Sequence, residues 1–185
     1  MIIYIHGFNS SPASAKARLL RERLVTRGAA HEFLAPALPH SPAAAARLLE
    51  KLAHAHPHAA LVGSSLGGYY ATWLAERCAL RAVLVNPAVR PYELLAGYVG
   101  RQKNLHTGEE YEFTMQHIAE LRQLEVDTIT AERYLLMVAT GDEVLDYRSA
   151  VEKYRGAQQV VIVGGDHGFS DFADYLDTVL VFAGL

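Results

Sequence analysis

Six short runs of β-forming residues, each followed by a longer helix-patterned stretch, limit the fold of this chain more than any other feature. The runs are Ile2 to Ile5, Glu32 to Leu34, Ala59 to Val62, Ala82 to Val85, Tyr134 to Ala139 and Val160 to Val163. Most are apolar at nearly every position, the pattern of strands covered on both faces in a parallel sheet. Ser11-Pro12 and Ser41-Pro42 each set a capping serine before a proline suited to the first helical position. Leu19, Leu20, Leu24 and Val25 form an apolar stripe on the first helix, and Ala45, Leu48, Leu49 and Leu52 form one on the second. Such alternation predicts an α/β fold with an open, mostly parallel sheet and right-handed crossovers.

The chain has 185 residues, room for one compact domain and little more. One connection is too long for a simple crossover: from Asn86-Pro87 to Tyr134 run more than forty residues, with Thr107 to Glu110 patterned as a capping box. The expectation is a small helical cap at about 87–131, inserted in a single domain of residues 1–185.

Within this frame the sharpest local motif is Gly63-Ser64-Ser65-Leu66-Gly67, a G-x-S-x-G with Ser65 at its centre. A strand to Val62 and a helix from Leu66 to Cys78 flank it. A chain that turns sharply from strand to helix strains its central residue and needs small neighbours so that the two elements can approach. The plainer reading is a glycine-rich turn without chemistry, or a phosphate-binding loop. The dinucleotide pattern G-x-G-x-x-G would follow the first strand, where His6-Gly7-Phe8-Asn9 stands instead. Ser65 is therefore the candidate nucleophile.

A serine hydroxyl needs a base, and in strand–elbow–helix hydrolases the acid and then the histidine follow on later loops. Of nine histidines, His106 and His117 fall in the expected cap, while His167 sits in Gly164-Gly165-Asp166-His167-Gly168, just past the last strand. It is the candidate base. Asp142, first beyond the preceding strand, is the candidate acid, with Glu143 and Asp146 as rivals that could cap the next helix. The main-chain N–H groups of Phe8 and Leu66 are the candidate oxyanion donors, each such donor being worth about 2.7–4 kcal/mol in a transition state. His6 reads as a structural residue at a strand end.

Composition removes competing classes. A formal net charge of -3 argues against a nucleic-acid binder, which usually carries a basic face. Cys78 alone permits no intramolecular disulfide, and the N-terminus lacks signal-peptide features, so a cytoplasmic protein is expected. No apolar run reaches the roughly 20 residues of a membrane span. His54, His56 and His58 surround Pro57 without a carboxylate or cysteine to complete a zinc site, and mark a helix end. Neither a metal nor a cofactor is expected. Trp73 and the Tyr69-Tyr70 pair read as core or cap contacts.

With these motifs placed, the chain resembles the small bacterial YqiA-type esterases of the α/β-hydrolase superfamily over nearly its whole length. The likeness is most specific in residues 6–12 (HGFNSSP), 62–74 (VGSSLGGYYATWL), 85–91 (VNPAVRP) and 140–148 (TGDEVLDYR). It implies an esterase acting on short acyl esters or thioesters with the same serine, aspartate and histidine. Relatives carry Gly-Gly-Asn-His-Ala-Phe where this chain has Gly-Gly-Asp-His-Gly-Phe, so Asp166 sets a further carboxylate beside the candidate base. Asn9, Asn86 and Arg90, within the matching stretches, are the candidate substrate contacts. Arg90, Arg101 and Lys103 in the cap could meet coenzyme A phosphates. The chain begins at the strand that leads into the oxyanion loop, without the edge hairpin of larger relatives, which leaves six parallel strands in the order 2-1-3-4-5-6. The competing function is a catalytically silent scaffold of the same fold that binds a small ligand or a protein.

Overall fold

The computed structural model describes residues 1–185. Its main sheet holds six parallel strands: β1 (Ile2–Ile5), β2 (Phe33–Leu34), β3 (Ala60–Ser64), β4 (Ala82–Val85), β7 (Tyr134–Ala139) and β8 (Gln158–Ile162). Their order is β2-β1-β3-β4-β7-β8, the expected arrangement once the short pair β5 (Gly100–Lys103) and β6 (Glu110–Phe113) is set aside.

Alternation along the strands explains why the runs are apolar throughout. Ile3, Ile5, Leu61, Leu84, Leu136 and Val138 point into a core shared with α2 (Pro42–Ala55), α3 (Leu66–Cys78), α4 (Pro91–Leu95), α5 (Met115–Arg122) and α6 (Tyr147–Lys153). Ile2, Tyr4, Val62, Val83, Val85, Leu135 and Met137 point into a second core under α1 (Ala15–Thr26) and α7 (Leu176–Ala183). The inner sheet is thus covered on both faces, and its inner strands must be apolar at even and odd positions.

Local signals hold in part. Ser41 caps α2, its hydroxyl accepting from Ala44 N–H, with Pro42 in the first turn. The Ser11-Pro12 signal is displaced. Ser11 Oγ accepts from Ala13 N–H and its carbonyl from Ser14 N–H, so a turn comes first and α1 begins at Ala15. Ser14, at the helix start, makes no side-chain cap and donates instead to Tyr4 Oη across the buried layer. At the edge strand the apolar run misleads: β8 begins two residues before Val160 and ends one before Val163, which is 93% exposed.

The long connection differs most from expectation. Besides α4 and α5 it holds the antiparallel hairpin β5–β6, in register Gly100 to Phe113 and Lys103 to Glu110. Thr107 to Glu110 is the end of the hairpin loop and the first residue of β6 rather than a helix start, with Thr107 Oγ1 accepting from Glu109 N–H. The reciprocal cap sits at Thr114, whose N–H donates to His117 Nδ1 at the start of α5. No helix is long and apolar enough to cross a membrane.

Candidate active site

The turn from β3 into α3 carries Ser65 at φ 55°, ψ -120°, a conformation costly for any residue with a Cβ. Main-chain bonds hold it there: Ser65 N–H donates to the Val85 carbonyl, and the Ser65 carbonyl accepts from Gly68 and Ala88 N–H. The two flanking glycines are obligatory. A Cβ on Gly63 would stand 2.4 Å from the Gly67 carbonyl oxygen, and one on Gly67 would stand 1.9 Å from the Ile5 carbonyl oxygen. A serine at a helix N-terminus ordinarily spends its hydroxyl on the first turn, but Ser65 makes no such cap. The hydroxyl meets His167 Nε2 at 3.1 Å instead.

Asp142 faces the other edge of the same ring, its carboxylate oxygens 3.0 and 2.8 Å from His167 Nδ1. A carboxylate only accepts, so the ring proton lies on Nδ1 and Nε2 is left to accept from Ser65. The Asp142 side chain is 2% exposed, and its Oδ1 also accepts from Val144 and Leu145 N–H at 2.8 Å. Burial pushes its pKa up, yet the bond to His167 and the two N–H bonds outweigh burial and hold it below the usual aspartate value. The structure therefore brings Ser65, His167 and Asp142 into one hydrogen-bonded chain from three loops at the carboxyl ends of β3, β8 and β7.

The rival carboxylates have other partners. Glu143 accepts from His167 N–H, and Asp146 caps α6 through Arg148 N–H. Asp166 turns away from the imidazole to Ser170, accepting from its N–H and hydroxyl, and that hydroxyl bond is the first cause of its lowered pKa. His54 lies in the last turn of α2 and His56 at its C-cap.

The loop after β1 packs against the elbow, a Cβ on Gly7 falling 3.3 Å from Ser65 Cβ. His6 fixes one of its peptides. Leu38 N–H donates to His6 Nε2, so the ring proton is on Nδ1 and donates to the Gly7 carbonyl at 3.0 Å. In a trans peptide this aims the next N–H, that of Phe8, the opposite way. Phe8 N–H donates to no main-chain carbonyl, and Leu66 N–H opens α3 without an acceptor in its own helix. The Phe8 ring packs edge-on against Tyr98 and Phe113 of the cap.

The three expected substrate contacts are engaged elsewhere. Asn9 donates to Gln102 Oε1 and accepts from the Tyr111 hydroxyl, stapling the β1 loop to the hairpin. Asn86 is 2% exposed, with its whole amide bonded to main chain. Arg90 is exposed and lies within ion-pair reach of Glu93 and Glu125. It borders a groove of about 620 Å³ between the cap and the loop that follows Asp142, where Glu93, Glu125, Asp127, Asp146 and Glu152 outnumber Arg90 and Lys153. None of Ser65, Asp142 and His167 lines that groove. Sequence reasoning missed Asn104 and Lys16. Asn104 donates to the Ser10 carbonyl and caps the hairpin loop. Lys16 donates to the Gly168 carbonyl at 2.6 Å. Both are long-range bonds without a local motif.

The model of the uncharacterised protein family UPF0227 matches residues 1–184. A UPF0227 protein of Citrobacter koseri is 26% identical over 194 residues, covering 98% of both chains. YcfP of Escherichia coli O9:H4 is 24% identical with the same coverage. Among solved structures, Est1E from Butyrivibrio proteoclasticus aligns with 100% of this chain and 88% of its own at TM-score 0.75 and 16% identity. Mouse alpha/beta hydrolase domain-containing protein 10 aligns at TM-score 0.72 and 17% identity, covering 97% and 89%. The esterase domain of a Rhodothermus marinus protein gives 0.69 and 17%, covering 98% and 85%. These likenesses show the α/β-hydrolase fold.

Proposed function

The chain belongs to the UPF0227 family and has the α/β-hydrolase fold, and from that premise we propose that it is a serine esterase acting through Ser65, His167 and Asp142. The observation that carries the reading is the unbroken hydrogen-bonded chain from Asp142 through His167 to the uncapped hydroxyl of a strained elbow serine. A binding scaffold has no need of that strain or of that alignment, which is why the enzyme reading is preferred to the silent one.

In the proposed reaction His167 Nε2 takes the proton of Ser65 Oγ as the oxygen attacks the ester carbonyl. Asp142 keeps the ring in its Nδ1–H tautomer and stabilises the imidazolium without taking the proton. The developing oxyanion faces the N–H groups of Phe8 and Leu66. His167 then returns its proton to the leaving alcohol, and water repeats the sequence on the acyl-serine. The fold of Est1E and of the Rhodothermus esterase domain supports the reaction class by analogy. Of the three cations that could meet coenzyme A phosphates, Arg90 lies within ion-pair reach of Glu93 and Glu125, so an uncharged short ester is favoured over an acyl-CoA thioester.

The test is labelling with a fluorophosphonate, together with turnover of p-nitrophenyl acetate and butyrate, in wild type and Ser65→Ala. Labelling at Ser65 and loss of turnover in the variant are expected. A folded wild type that neither labels nor turns over would leave the scaffold reading in place. Retained turnover in Ser65→Ala would overturn the nucleophile. Matching p-nitrophenyl butyrate with butyryl-CoA separates ester from thioester, and faster thioester cleavage would overturn the substrate class.

A further inference from the structure

The segment that carries His167 leaves the edge strand through Gly164 and Gly165, both at positive φ, and lies on the surface with no strand beside it. Such a loop does not fix an imidazole to within a few tenths of an ångström by itself. Its main-chain groups are instead held by side chains from elsewhere in the fold. Lys16 holds the Gly168 carbonyl and Glu143 holds His167 N–H, both at the exposed rim.

The buried member of the set is Asn86, at the end of β4. Its Nδ2 donates to the carbonyls of Asp166 and His167 at 3.0 and 3.1 Å, which are the carbonyls of the two peptides adjoining the His167 side chain's backbone unit. Its Oδ1 accepts from Ala139 N–H at 2.9 Å, three residues before Asp142 on the strand that delivers the acid. Both amide protons are used. The backbone of Asn86 donates to Met137 and sits at φ 41°, a left-handed conformation that asparagine tolerates better than most residues. One side chain thus spans the acid-bearing strand end and the base-bearing loop, and it branches from the strand next to the one that delivers Ser65.

We propose that Asn86 is a positioning residue that sets the His167 imidazole against both Asp142 and Ser65. The inference rests on the serine-hydrolase reading for its effect on rate, and on geometry alone for its effect on the ring. Two substitutions separate the parts. Asn86→Asp keeps the acceptor and the tolerance of positive φ while replacing both donors with an oxygen that faces two carbonyls. Asn86→Gly suits the backbone fully and deletes all three bonds without adding charge. If the aspartate variant does not fold, the glycine variant carries the test.

Displacing a catalytic group by about 1 Å costs on the order of 100-fold in rate, so kcat for p-nitrophenyl acetate should fall on that scale in both variants, with KM changed less than about threefold. In Asn86→Asp a protonated carboxyl regains one donor. The ratio of variant to wild-type kcat should therefore rise as pH is lowered. The titratable groups on the loops it touches are Asp142, Glu143, Asp166 and His167, with Lys16 beyond them; an anionic carboxylate added beside them favours the imidazolium and so works against the rise, and Asn86→Gly, which adds no charge, should not show it. A residue that merely supports the fold would move stability and leave this ratio flat with pH. Independently of any substrate, the downfield proton resonance of His167 Nδ1–H should be sharp in wild type and shifted or broadened in either variant. Wild-type kcat in a folded variant, with that resonance unchanged, would overturn the positioning role. A wild type that shows the resonance but no turnover would instead overturn the serine-hydrolase reading and leave the positioning role standing on the resonance.

Discussion

Replacing Ser65 by glycine should make the protein more stable than replacing it by alanine, the reverse of what a glycine at a strand–helix junction ordinarily does. Ser65 sits at φ 55°, ψ -120°, where a Cβ is strained and glycine is at ease. Residues held in such regions cost about 1–3 kcal/mol, and alanine retains the Cβ that causes it. Glycine removes the strain but gives the unfolded chain more freedom, which takes back about 0.5–1 kcal/mol. The net advantage of Ser65→Gly over Ser65→Ala is therefore about 1 kcal/mol. Both variants lose the hydroxyl and leave His167 Nε2 without its 3.1 Å partner, so that contribution cancels. Urea unfolding of the two variants, fitted by linear extrapolation, reads the difference as a midpoint shift of about 0.5 M for a slope near 2 kcal/mol/M. Neither variant should label with a fluorophosphonate. If Ser65→Gly is the less stable of the two by its usual 0.5–1 kcal/mol, the elbow stores no strain and the reasoning from φ fails.

Two further outcomes follow from contacts around the same turn. Gly67→Ala sets a Cβ 1.9 Å from the Ile5 carbonyl oxygen and 2.8 Å from that of His6, all main chain of the first strand and its loop. The loss should reach about 3 kcal/mol or more, at or above the top of the usual overpacking range, with activity falling further because the β1 loop must move. Gly97→Ala, with nothing within 4 Å of its Cβ, should stay near wild type in the same urea melt and serves as the control. His6 supplies a pH dependence. Burial lowers its pKa, and His106 and His40 nearby add to the lowering while the Gly7 carbonyl opposes it. The unfolded chain, titrating near 6.5, then binds a proton that the folded chain refuses, so stability is fully present above about pH 6.5 and declines by up to 1.36 kcal/mol per pH unit below it, levelling once the folded value is passed. Thermal melts of wild type and His6→Gln from pH 7.5 to 5 should show that part of the slope disappearing in the variant, whatever its absolute Tm. An unchanged slope would refute it.

Much of the sheet was legible because a parallel sheet with helices on both faces leaves a nearly unbroken apolar record, as in Ile2 to Ile5 and Tyr134 to Ala139. The elbow was legible because sterics admit only glycine at 63 and 67. Ser65, Asp142 and His167 were singled out by chain order and loop position, and the structure brings them together. The hairpin was not legible. Gly100–Lys103 and Glu110–Phe113 carry Arg, Gln, Lys and Glu at strand positions, with little of the β-branched content that marks a strand. Nor was the role of Asn86. Its sequence neighbours say only that a strand ends there, while its partners lie 53 and 80 residues away. Asn9 misled for the same reason, its amide being consumed by Gln102 and Tyr111 at separations of 93 and 102.

Those long-range bonds bear on what the cap is. Four of them join the hairpin to the β1 loop: Asn9 to Gln102, Tyr111 to Asn9, Leu105 N–H to the Asn9 carbonyl, and Asn104 to the Ser10 carbonyl. Phe8, immediately before this staple, also packs against Tyr98 and Phe113. A hairpin hinging away as a lid would have to break these bonds or carry the loop with it, and the loop's other end is fixed by His6 to Gly7 and Leu38. Each net hydrogen bond contributes about 0.5–1.5 kcal/mol, so four of them set an opening cost of several kcal/mol before any apolar contact is counted. The hairpin is accordingly part of the scaffold that holds the β1 loop, with Gly7 against Ser65, and access to the serine has to come past side chains rather than by moving this element as a body.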